Sequence, residues 1–327
     1  MRHIILFFIS IFLTSCSFMI NEKRANGPLP TDYFSKGIEL EMASAIYNNN
    51  LDSVRLLIKE GIDINKLSEG GMTYLYFALM RKEYDIMKLL LENGANPNIA
   101  NNFYSKPGYQ KEGYSEEKEL GVCLETSGDP YYEIKYMKLL IEYGANVNDT
   151  IGITPLEASC HDNSQSKEKI KYLVEHGADV TITEKDGMRP YSIAIEKGDM
   201  EMAEYFKSLE PAEYHDLQNK MDQLKPFKLP KALVAFLESD NLYFELPDSD
   251  FISIEFLPLL DTVSFKVGRR NLLRLSKELG EYNDWQIVWD PKSKKIGCYD
   301  TEHQELRDLC KFDKFMADMA GQLENLF

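Results

Sequence analysis

The sequence predicts an α-helical repeat solenoid of about five units, residues 38–210, followed by a smaller α+β domain. Three observations lead there. One ten-residue phrase recurs as LLIKEGIDIN from Leu56, LLLENGANPN from Leu89, LLIEYGANVN from Leu139 and YLVEHGADVT from Tyr172. Its glycines, Gly61, Gly94, Gly144 and Gly177, are spaced 33, 50 and 33 residues apart, a period typical of stacked helical repeats. Near Pro211 the phrase stops, and short β-like runs replace it.

The chain starts with Met1-Arg2-His3 and the apolar run Ile4 to Leu13, too short to span a bilayer but suited to the core of a secretory signal. The run ends in Leu13-Thr14-Ser15-Cys16, which resembles the lipobox of bacterial lipoproteins. The resemblance implies a signal peptide over 1–15, cleavage after Ser15 and lipidation of Cys16, with three acyl chains as an effectively permanent anchor. Ser17, where an aspartate would favour inner-membrane retention, points to the outer membrane with the body facing the periplasm; the inner membrane is the lesser expectation. Residues 16–37, polar with several Gly and Pro, are expected to be a tether.

In each phrase the apolar pair closes a helix on its buried face, and the glycine supplies the left-handed cap that ends it. Asn or Asp then begins an outward loop. Thr154-Pro155-Leu156 with Ala158 is a helix-opening turn. Gly71-Met72-Thr73-Tyr74-Leu75 and Gly187-Met188-Arg189-Pro190-Tyr191 are looser copies, and Met200 to Leu209 is a closing helix. Period, phrase and turn together resemble the ankyrin repeat, whose members present a concave surface of short helices and loop tips and bind proteins. The 50-residue interval is one period plus an insertion at about 101–116, which carries Tyr104, Tyr109 and Tyr114 among Gly and Pro. Tyrosine on such a loop offers contact area at low entropy cost; its alternative role is packing back on neighbouring repeats. With Tyr74, Tyr76 and Glu157 of the short helices, these tyrosines are the expected partner contacts.

Residues 211–227 form a polar helical connector, and 228–327 the second domain. A proline-led helix, Leu229 to Leu237, precedes strands at Leu242 to Leu246, Phe251 to Phe256, Gln286 to Trp289 and Lys295 to Tyr299. Asp290-Pro291-Lys292-Ser293-Lys294 is the turn between the last two, and Phe312 to Leu323 a final amphipathic helix. Trp285 and Trp289 share one face of their strand, as core or groove wall. The Leu-Pro-x-x-Leu-x-x-Phe-Leu opening at Leu229 and the phenylalanine-bearing last helix resemble the SUKH superfamily of bacterial immunity proteins, although that family's glycine-rich segment is replaced here by Glu238-Ser239-Asp240-Asn241.

The formal charge of −16 excludes a nucleic-acid-binding surface and suits a basic partner. Cys123, Cys160, Cys298 and Cys310 lack zinc spacing. An oxidising compartment would permit bonds such as Cys298–Cys310 or Cys123–Cys160, and the sequence does not choose among the pairings. Cys160 and His161 are adjacent on a helix and diverge by about 100°, so they do not make a nucleophilic pair. No phosphate loop, His-Glu-x-x-His or nucleophile elbow occurs. The expectation is a binding protein without catalytic residues, metal or cofactor. Its partner would be a protein, such as a basic-surfaced secreted toxin of the lipase kind, that an immunity protein binds and blocks. The alternative is an envelope scaffold or regulator that binds a resident protein.

Overall fold

The computed structural model describes residues 34, 37–102, 120, 134–148, 166–183, 187–246, 251–279 and 282–324. The chain divides into two compact units, Met1–Asp179 and Val180–Phe327.

In the first unit the first four described helices come in pairs. α1 (Ile38–Tyr47) and α2 (Leu51–Lys59) precede α3 (Tyr74–Arg81) and α4 (Tyr84–Glu92); α5 (Ile134–Glu142) and α6 (Ser166–Glu175) end on the next two phrases. The phrase glycines have φ of 89°, 91°, 86° and 92°. Nothing lies within 4 Å of where a Cβ would stand, so backbone conformation rather than space demands glycine at these positions. The closing hydrogen bonds recur as well. The N–H groups of Gly94 and Ala95 donate to Leu91 and Leu90, those of Gly144 and Ala145 to Ile141 and Leu140, and those of Gly177 and Ala178 to Val174 and Leu173. This is the Schellman closure, which satisfies carbonyls a helix end would otherwise leave open. α3 opens as its turn implies: Thr73 caps it by accepting from the Tyr76 N–H at 3.0 Å, while its own N–H donates to Asn101 Oδ1 at 2.8 Å.

The second unit begins with a further helix pair, α7 (Pro190–Lys197) and α8 (Met200–Leu209). A 3-10 turn at Ala212–His215 and α9 (Leu217–Leu224) occupy the connector, and α10 (Lys231–Leu237) follows. β1 (Tyr243–Glu245) and β2 (Ser253–Glu255) form a two-stranded antiparallel sheet. β3 (Val263–Val267), β4 (Arg270–Leu279), β5 (Tyr282–Asp290), β6 (Lys295–Asp300) and β7 (Glu305–Asp308) form a five-stranded antiparallel meander. Trp285, Ile287 and Trp289 point from one face of β5 into a core with Phe251, Phe256, Phe312 and Phe315. Val288 points the other way, to Phe265, Leu272 and Tyr299.

Three strands, β3, β4 and β7, exceed what the alternation pattern foretells. β4 hides because both its faces are covered: Leu272 to Ser276 are all buried, Arg274 among them, so no polar/apolar alternation survives. β4 also changes register between Arg274 and Glu278. Ser276 bridges to Phe256 there, and its Oγ accepts from the Ile287 N–H at 2.9 Å. The single terminal helix is corrected to two, α11 (Phe312–Ala317) and α12 (Met319–Glu324). Asp318, at φ −155°, breaks it, and its carboxylate accepts from the Gly321 N–H at 3.1 Å to start the next turn. Cys298 and Cys310 are free buried thiols, correcting the bond considered between them. Cys298 pairs with Arg307, and Cys310 stands three residues further along. At roughly 3.4 Å per residue the offset exceeds the about 7 Å that a disulfide tolerates. Burial pushes the Cys298 thiol up to about 12.

Polar contacts weld α7 and its flanks to the sheet domain inside this unit. Gly187 has φ +83°, and a Cβ there would stand 2.4 Å from the Ser264 carbonyl oxygen on edge strand β3. The Tyr191 hydroxyl donates to Asp261 at 3.1 Å. Glu196 pairs with buried Arg274 at 2.8 Å and accepts from the Glu278 N–H at 2.6 Å, supplying an acceptor where β4 slips register. Glu210, its side chain fully buried, pairs with Arg189 at 2.6 Å and stands 2.7 Å from His215, which ties the two ends of the helix pair to the connector rather than to the sheet. The Lys220 ammonium donates to the Thr262 carbonyl.

Replacing Gly187 with alanine therefore meets both a backbone clash and an unfavourable φ. Urea titration followed by Trp emission should show a loss of about 2–3 kcal/mol. Lys220 gives a pH signature. Burial, aided by the Arg189 charge, holds its ammonium down to about 8 from 10.5. Between those values the unfolded chain keeps the proton and the folded chain releases it, so stability gains from this group as pH rises through that window. Comparing urea midpoints at pH 7.5 and 9.5, Lys220→Met should lack this gain relative to the unsubstituted chain.

Candidate protein-interaction surface

The first three phrases each end in an asparagine that reaches the next phrase. Asn65 Nδ2 donates to the Gly94 carbonyl at 2.9 Å, and its Oδ1 accepts from the Asn96 N–H at 2.8 Å. Asn98 does the same to Gly144 and Asn146, both at 2.8 Å. Asn148 does it to Gly177 at 2.8 Å and Asp179 at 2.7 Å. Within the loops, Asp63, Asn96 and Asn146 accept from the N–H two residues on. The amide is suited to this task because it offers donor and acceptor on one planar group. The outcome is a ladder that fixes the exposed tips Asp63, Asn96, Asn146 and Asp179 in a repeating row.

A second repeating feature lies on the phrase helices. α4, α5 and α6 end on Glu92, Glu142 and Glu175, all exposed. A carboxylate at a helix C-terminus faces the negative end of the macrodipole, at a cost of about 0.3–1 kcal/mol each. Three consecutive repeats accept that cost. Lys88 of α4 reaches Glu92 only at 4.0 Å, and the lysines of α5 lie over rings: Lys135 over Tyr84 and Tyr136 at 5.7 and 5.2 Å, and Lys138 over Tyr172 at 5.1 Å. Lys138 also pairs with Glu168 at 3.0 Å. The face thus carries a row of outward carboxylates beside lysines drawn onto aromatic neighbours.

The expected contact residues fare unevenly. Tyr74 and Tyr76 are 3% and 1% exposed, which corrects their reading as surface contacts. The whole of α3 from Tyr74 to Leu79 is buried, and burial, with Glu39 and Asp63 nearby, raises the Tyr74 phenol. Tyr104, Tyr109, Tyr114, Glu157 and Cys16 lie outside the described residues, as do Cys123 and Cys160. The asparagine ladder and the carboxylate row were not foreseen. Their signal is positional, the same residue type at a fixed offset from each glycine. Among the described residues no group of three His, Cys, Asp or Glu could hold a metal ion, and no helix is long and apolar enough to cross a membrane.

Paired helices closed by left-handed glycines and tied by side-chain amides define a helical repeat protein. The family described as ankyrin repeats (3 copies) matches residues 21–101 and 131–217, just over half of the chain, and the chain belongs to that family. An ankyrin repeat protein of Acanthamoeba polyphaga mimivirus is 37% identical over 128 residues, 35% of this chain and 20% of the viral protein. The ankyrin repeat protein YahD of Escherichia coli K12 is 26% identical over 191 residues, 52% of this chain and 95% of YahD. Human ankyrin repeat and SOCS box protein 6 is 30% identical over 183 residues, 53% of this chain and 38% of that protein. Against the first relatives, two from mimivirus and one from fowlpox virus, the chain covers only 20%, 19% and 34% of their length. Ankyrin repeats are protein–protein interaction modules, and this chain carries one.

Asn98→Ala removes both bonds across the longest interval of the ladder and should cost about 1–2 kcal/mol. Asn98→Asp keeps the acceptor, loses the donor and should fall between. Thermal unfolding followed by far-UV circular dichroism distinguishes the three chains.

Proposed function

We propose that this protein is a lipid-anchored immunity protein of the bacterial periplasm, which binds a basic antibacterial effector and blocks it sterically. The carboxylate row Glu92, Glu142 and Glu175 carries the reading. Charges held at a local cost to their own helices, on a chain of net charge −16, fit a surface selected for a cationic partner, whose arrival they accelerate. The lipobox-like Leu13-Thr14-Ser15-Cys16 supports anchoring through Cys16 at the outer membrane. The SUKH-like motifs of residues 228–327 support immunity, since that superfamily blocks toxins. A secreted lipase is an effector of suitable kind. Inhibition needs no turnover, only a lid of protein over the effector's active site.

The test combines purified protein with the effector encoded beside it. Stoichiometric loss of effector activity is expected, with association slowing as salt rises. Glu92→Gln, Glu142→Gln and Glu175→Gln together should lower the on-rate several-fold and flatten its salt dependence while leaving the fold intact. An effector that stays active at saturating protein would refute immunity, and capture of a resident envelope protein would identify a scaffold instead. Wild-type protein in the membrane fraction, and Cys16→Ala protein released from it, would establish the anchor; equal solubility of both would refute it.

A further inference from the structure

α3 is buried on a side where a repeat helix should be open. At 100° per residue, Leu75, Ala78 and Leu79 form one apolar stripe, the face a repeat helix turns to its neighbours. Phe77 lies about 200° round from Leu75 on that wheel, facing away from the stripe, yet it is 3% exposed. Among the described residues Phe34, itself 3% exposed, lies against it. The Phe34 ring stacks on Tyr74 at 5.5 Å with an interplanar angle of 8°, and meets Phe77 edge-on at 5.1 Å and 63°. Phe34 precedes the first described helix, Ile38–Tyr47. A residue from the chain's leading segment therefore fills an aromatic notch on a short helix of the array.

We propose that the Tyr74/Phe77 notch of α3 is a binding site for an aromatic side chain on a peptide segment of the partner, and that Phe34 occupies it as an internal surrogate. The inference rests on the protein-binding reading above and adds the chemistry of what is bound. Stacked and edge-on rings select a flat apolar group over an aliphatic one, because offset and T-shaped pairs add attraction beyond burial alone. Phe34 also regulates. Joined to the array by a short stretch of chain, it competes at a high effective concentration, so only a segment that displaces it gains the site.

The probe is a fluorescein-labelled peptide of residues 28–40 of this chain, followed by anisotropy with the full-length protein. Phe34→Ala protein should bind it at least tenfold more tightly than wild type, and a peptide with alanine at its phenylalanine should bind neither. Adding Phe77→Ala to the Phe34→Ala chain should abolish capture. Equal binding to wild type and Phe34→Ala, or equal binding of the two peptides, would overturn the proposal. If circular dichroism shows Phe34→Ala misfolded, Phe34→Leu, which keeps an apolar cover without the ring, is read by the same criteria. Because the probe is the chain's own segment, failure here leaves effector capture standing, and failure of effector capture leaves this site standing.

Discussion

The first unit depends on a hydrogen-bonded amide repeated at one position. A helix pair of this size has too little core to stand alone, and stacking supplies the rest of its burial. Stacking by apolar faces is tolerant of small rotations and slips, since hydrophobic attraction has no direction. The side chains of Asn65, Asn98 and Asn148 remove that tolerance. Each grips a carbonyl and an N–H of the next phrase, so the phrases sit in one orientation. The Schellman closures are its precondition, because they hold the gripped glycine carbonyls at a constant place relative to each helix end.

The second unit uses a different logic. Its α7–α8 pair is joined to the sheet domain by charges and hydroxyls rather than by a repeated amide. Glu196 answers both the guanidinium of Arg274 and the Glu278 N–H beside a register shift. The Tyr191 hydroxyl answers Asp261, while Glu210 and Arg189 close the ends of the helix pair on each other. Such groups are costly when unpartnered in a low-dielectric setting, so the seam tolerates few alternative arrangements. Its specificity comes from the number of partners each buried charge requires.

What was legible in the sequence was whatever is written in local chemistry. The capping glycines, the helix Met200–Leu209 and the turn after Asp290 all announce themselves through residues that act within a few positions. At that turn Asp290 accepts from the Lys292 and Lys294 N–H groups, and Lys294 takes the left-handed conformation. The misses have one cause, partners remote in sequence. β4 lost its alternation because Arg274 is matched by Glu196, 78 positions earlier. Tyr74 reads as a surface residue because nothing near it in the sequence signals that Phe34 lies on it. Asn65, Asn98 and Asn148 carry no role in the sequence reading, because their grip on the following repeat leaves no local trace.

One consequence of the amide grip concerns chain length. Asn98 and Gly144 are 46 residues apart, whereas the other two grips span 29, yet the three donor–acceptor distances agree to within a tenth of an ångström. Spacing along the chain is thereby uncoupled from spacing in the stack. The interval between Asn98 and Gly144 can therefore carry extra length without altering the grip, provided it keeps Asn101, which holds the Thr73 N–H, and the helix Ile134–Glu142. Added length at that point carries little penalty for the scaffold, which makes the interval the natural place to graft a foreign recognition loop.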